Sequence, residues 1–146
     1  MKIEEDIGWV RYIQEDAKFD PKKTGKWMYH FSNDEDSIEY AKSVCKEAVE
    51  RGIVQTAKHT RFGFIFGPPT GVACFYIHGD DDAAHRRVIA YFLEKGLIRK
   101  TKTGKLYNIS FKYDEQTREG QYANDFVAEI KLDQFLNLST GEWLRK

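Results

Sequence analysis

Six cations, Lys95, Arg99, Lys100, Lys102, Lys105 and Lys112, fall between residues 95 and 113 with no acid among them. Their fields add, so the stretch favours an anionic partner. Lys58, His59, Thr60 and Arg61 make a second, compact donor cluster. A lysine holds phosphate as a point charge, whereas Arg61 or Arg87 can grip two oxygens at once. Ser110 and Lys112 alternate with Ile109, Phe111 and Tyr113, which puts them on the polar side of a strand. By the same period of two, Lys58 and His59 point to opposite faces and cannot share one cavity. Trp27, directly after Lys26, offers a plane on which a base could stack beside its phosphates. Each group also has a plainer reading. Lys95, Arg99 and Lys100 suit a helix C-terminus, Lys58 to Arg61 suit surface ion pairs, and Trp27, Tyr29 and Phe31 suit the inner face of a strand.

His30, His59, His78 and His85, with Asp80 to Asp82, reproduce no zinc or calcium spacing, so no metal is expected. The aspartates read as helix-capping residues. Gly63, Gly67 and Gly71 match neither phosphate-loop pattern, and no cofactor is implied. Cys45 and Cys74 sit among apolar residues and read as packing.

The elements that must position these groups follow from periodicity. Residues 26–31 alternate as a strand. Asn33 to Ser37 open a helix whose apolar stripe is Ile38, Ala41, Val44, Cys45, Ala48 and Val49, closed by Gly52. Residues 54–66 are extended, 67–71 turn, and 72–77 form a central strand. Asp80 to Asp82 cap a second helix, with Ala84, Val88, Tyr91, Phe92 and the methylenes of Lys95 on its core face and Gly96 as its stop. Residues 106–113 and 126–132 alternate again. The first twenty residues carry six acids against three bases and read as a docked arm or short helix.

The expected class is therefore α+β: a curved, mostly antiparallel sheet with two main helices packed on one face. One domain spans 1–146, with an acidic arm or helix over 1–23, a core over 24–132 and a C-terminal segment over 133–146. The chain has 23 basic and 23 acidic residues, so nucleic acid is not favoured as a partner. No leader or long apolar run appears, which predicts no membrane partner and, with two cysteines, a cytoplasmic protein.

Gly25-Lys26-Trp27-Met28, Ala57-Lys58, Cys74-Phe75-Tyr76, Arg87-Val88, Gly96-Leu97-Ile98 and Ile109 to Asp114, followed by Thr117, Gly120 and Tyr122, occur in that order. The pattern resembles the basophilic leukaemia-expressed protein family, whose bacterial members are often labelled phosphothreonine lyase domain proteins. The resemblance covers residues 24–122. It implies a fold similar to that of the mRNA cap-binding initiation factor, with a basic cavity on the concave side. It also implies Lys58, Arg87 and Lys112 as cavity residues and Trp27 and Tyr122 as aromatic walls.

Two functions are expected on this footing. The first is binding of an anionic small molecule, a nucleotide or a phosphorylated peptide, through Trp27, Lys58, Arg61, Arg87, Ser110, Lys112 and Tyr122. The second is β-elimination of phosphate from phosphothreonine or phosphoserine, with Lys58 or Lys112 as base, His59 as acid and Arg61 or Arg87 on the phosphate. No Lys-x-His element accompanies the second. A third reading is an interaction adaptor whose acidic arm, residues 4–20, mimics a polyanion.

Overall fold

The computed structural model describes residues 1–62, 69–114 and 130–144. Among them, seven strands form one curved antiparallel sheet: β1 (Lys2–Glu5), β2 (Trp9–Ile13), β3 (Thr24–Ser32), β4 (Thr56–Thr60), β5 (Thr70–His78), β6 (Ser110–Tyr113) and β7 (Ile130–Lys131). Their spatial order is β1-β2-β4-β5-β3-β6-β7. Helices α1 (Glu35–Glu50) and α2 (Asp82–Lys95) pack on one side, giving the expected α+β class.

Period-two alternation decides what each strand buries. Trp27 and Phe31 of β3, Ala73, Phe75 and Ile77 of β5, Ala57 and His59 of β4, and Val10 and Tyr12 of β2 are buried beneath the helices. The helices meet them with Ala41, Val44, Cys45, Ala48 and Val49 from α1 and Ala84, Val88, Ile89, Tyr91 and Phe92 from α2. Phe75 packs edge-on against Phe92 with ring centroids 5.1 Å apart. Such aromatic pairs add about 0.5–1.5 kcal/mol beyond the area they bury. Asp34 caps α1 by accepting from the Ser37 N–H, and Asp81 caps α2 from Ala84. Gly96, at φ 68°, stops α2 in the left-handed conformation that glycine adopts most cheaply.

The acidic segment differs from the expected arm or helix. Residues 2–5 and 9–13 form the β1–β2 hairpin, with Glu5 opposite Val10 and Ile3 opposite Tyr12. Trp9 and Ile13 place apolar residues on the second face as well, which blurs the alternation and mimics a helical spacing. The predicted strand over 106–113 shortens to Ser110–Tyr113. Leu106 instead bridges Lys100 around a turn containing Gly104 and is buried, while Tyr107 lies exposed. Of the predicted 126–132 strand, residues 126–129 lie outside the described residues, Ile130–Lys131 form β7, and Leu132 begins a short 3-10 turn. Residues 67 and 68 of the predicted turn are also outside the described set.

Trp27 is fully buried, and its indole N–H donates to Nδ1 of His85 at 3.0 Å. The opposite ring nitrogen, Nε2, lies 2.8 Å from the Gly79 carbonyl. That pair of partners requires the neutral imidazole with its proton on Nε2. Burial holds His85 and His59 below the ordinary histidine value of 6.5. Below that value the unfolded chain binds more protons than the folded one, so stability present at pH 7 is lost as the pH falls from 6.5 toward the folded-state values. Urea unfolding between pH 7 and pH 5 is expected to show this decline, and His85→Gln is expected to flatten it. Trp27→Phe, which strips His85 of its donor, is expected to cost about 1–3 kcal/mol at pH 7 in the same assay.

Candidate functional site

The face without helices collects the residues that alternate with the core. They are Trp9 and Arg11 on β2, Thr56 and Lys58 on β4, Cys74 and Tyr76 on β5, Lys26 and Met28 on β3, and Ser110 and Lys112 on β6. The ladder sets Arg11 opposite Lys58, Lys58 opposite Cys74, and Lys26 opposite both Tyr76 and Lys112. Lys131 follows beside Ser110 on β7. Cations distant in sequence thus share one surface because the sheet's period leaves them nowhere else.

A cavity of about 310 Å³ opens on this face, lined by Arg11, Phe19, Pro21, Thr24, Thr56, Lys58, Tyr76 and Asp114. The cations of this face are held differently. Arg11 pairs with Asp6, and Lys26 pairs with Asp114 at 2.9 Å. Lys58 makes no ion pair among the described residues. Its ammonium sits 3.9 Å from the centre of the Trp9 ring and 5.7 Å from that of Tyr76. Aromatic rings hold an ammonium by their quadrupole without cancelling its charge, a contact worth about 0.5–2 kcal/mol. Burial, with Arg11 and Lys26 nearby, holds Lys58 below the usual lysine value of 10.5. Burial pushes the Tyr76 phenol and the Cys74 thiol up, so both stay protonated at neutral pH.

Three of the residues predicted from sequence share this surface: Lys58, Ser110 and Lys112. Four others lie elsewhere. Trp27 is in the core and is no aromatic wall, because its indole N–H is needed by His85. His59 is buried under α1, with Nε2 3.1 Å from the Tyr12 hydroxyl. Arg87 belongs to α2 and donates from Nε to the Ile53 carbonyl at 3.0 Å on the helix side. Arg61 lies just beyond β4, bonded to the Asp6 carbonyl and paired with Glu5 at 3.8 Å. Tyr122 lies outside the described residues. Among the described residues no cluster of His, Cys, Asp or Glu could hold a metal ion.

No family model matches the chain, and no curated protein matches it. The geometry therefore carries the reading. Arg11, Lys26 and Tyr76 were missing from the sequence-based set. Lys26 was accessible to that reasoning, since it alternates with Trp27 and Tyr29. Arg11 was hidden by the apolar residues on both sides of its strand, and Tyr76 by the uninterrupted apolar run around it.

The loss of charge from Lys58 is directly measurable. After reductive methylation with labelled formaldehyde, the Lys58 resonance is expected to titrate below those of the exposed lysines and to move up toward them in saturating inorganic phosphate. A Lys58 midpoint indifferent to phosphate would show that no phosphate settles beside its ammonium.

Proposed function

We propose that the protein binds a phosphate-bearing ligand, a nucleotide or a phosphorylated peptide, on the helix-free face of its sheet. The observation that carries this reading is Lys58: a half-buried ammonium that makes no ion pair among the described residues, in a cavity it shares with Arg11 and with Asp114, whose carboxylate is paired with Lys26. Lys58 supplies the point charge, Arg11 a planar guanidinium, and Lys112 a further cation along the same surface. Trp9 and Tyr76, in place of Trp27, are the aromatic groups next to the phosphate position.

Elimination at phosphothreonine is less well supported. It needs an acid on the same side as the base, and His59 is buried on the opposite face of β4 from Lys58. An adaptor whose acidic residues 4–20 mimic a polyanion is less well supported too, because residues 2–13 supply two strands of the sheet and Glu5 and Asp6 are engaged by Arg61 and Arg11.

Titration calorimetry against inorganic phosphate, nucleotides and phosphopeptides tests the proposal. Lys58→Met is expected to weaken binding by about 1.5–3 kcal/mol, roughly ten- to hundredfold, as befits a charge-assisted contact. Lys112→Ala is expected to weaken it less, and Arg87→Ala not at all. Affinity is expected to fall as the pH rises through the depressed value of Lys58. Binding that ignores Lys58→Met, or no binding by any member of the panel, refutes the proposal.

A further inference from the structure

Strands β3 and β6 pair only at Gly25–Tyr113 and Lys26–Lys112. Beyond those residues the segment before β6 leaves the ladder, and a cavity of about 300 Å³ fills the gap. Its lining is Met28, Tyr29 and His30 from β3, Leu97 and Arg99 from the stretch after α2, and Tyr107, Asn108 and Ile109 from the approach to β6. Adjacent strand residues of opposite faces, Met28 and Tyr29, line the same space, as only an opening between strands allows. At roughly 30 Å³ per water, the space equals about ten waters.

The chemistry of this lining differs from that of the Lys58 cavity. Among the described residues no carboxylate lines it. Arg99 is its one permanent cation and makes no ion pair among the described residues. One of its terminal nitrogens donates to the His30 carbonyl at 3.3 Å, which orients the guanidinium and leaves further N–H groups of its fork. Asn108 accepts from the Asp133 N–H at 2.9 Å through Oδ1, so its NH₂ end remains a donor. Burial, Arg99 and Lys112 together keep His30 below the usual histidine value, which leaves it neutral at pH 7. Met28, Leu97, Tyr107 and Ile109 form apolar walls, and Tyr107 is 48% exposed at the rim.

We infer that this gap is a second ligand site, selective for a small organic carboxylate with a flat apolar body. The carboxylate would lie on the Arg99 fork with Asn108 as a second donor, and the body would lie between Met28, Ile109 and Tyr107. A bidentate guanidinium matches a planar carboxylate in geometry as well as charge, and a single cation suits a single negative charge. Apolar walls with a few convergent polar groups are the usual make-up of a small-molecule site. Apart from Lys112, which bears only on the charge of His30, the inference uses none of the residues assigned to the phosphate ligand, so either can fail alone.

Backbone amide NMR with phenylacetate as probe tests it. Phenylacetate is expected to shift the resonances of Met28, Leu97 and Ile109 saturably. Its neutral counterpart phenylacetamide is expected to bind about tenfold more weakly, and inorganic phosphate not to compete. Arg99→Gln is expected to weaken phenylacetate about tenfold, and Tyr107→Ser, at an exposed position, severalfold. Lys58→Met is expected to leave it unchanged. No shifts, equal binding of the neutral amide, effective competition by inorganic phosphate, or indifference to both Arg99→Gln and Tyr107→Ser would each overturn the inference.

Discussion

The hydrogen bond from Trp27 to His85 decides which way the sheet faces. An indole N–H buried without an acceptor costs about as much as the net worth of one or two hydrogen bonds. With His85 as its acceptor, Trp27 is locked under α2, and the neutral imidazole is in turn fixed by the Gly79 carbonyl. Once Trp27 points inward, Lys26 and Met28 must point outward, because a slip of one residue would exchange the two faces of β3 along its whole length. β3 is paired along its full length with β5, and the same division passes through β5 to β4. The place of Lys58 on the helix-free face is thus a consequence of what the helices bury.

Gly25 lets that arrangement close. A Cβ there would meet the Phe111 ring and the Lys112 carbonyl at 2.5 Å, so only glycine admits β6 against β3. Phe111 then packs at a tilt against Trp27 and edge-on against His85, with centroids 5.9 and 4.8 Å away. The inward Phe111 obliges Lys112 to face outward beside Lys26. Here packing and charge are two sides of one strand: an aromatic core contact fixes the address of a surface cation.

Much of the fold could be read from the chain. The stripe Ile38 to Val49 and the capping aspartates specify the helices, since both are local patterns. Opposite faces for Lys58 and His59 follow from alternation alone, and so does the pairing of Ser110 with Lys112 on one side. What sequence could not supply is the partner across the sheet. Arg87 looks as eligible as Arg11 by residue type, yet α2 carries it to the Ile53 carbonyl while β2 carries Arg11 opposite Lys58. Trp27 resembles a stacking platform until His85, a residue far along the chain, claims its N–H. The N-terminal hairpin is hidden in the sequence because Trp9 and Ile13 are apolar on the outward face, where Trp9 serves as a ring for Lys58.

The strand order also governs how the molecule comes into being. The central ladder joins Trp27 to Phe75, and α1 and β4 lie between them in sequence. Closing so long a loop exacts entropy before the ladder returns any enthalpy. Helix α1, at about 1.5 Å per residue, compacts the intervening chain and so shortens the span that must be closed. Assembly is therefore bound to non-local encounter, and a nascent chain holding only the first sixty residues lacks the neighbour that would shelter β3.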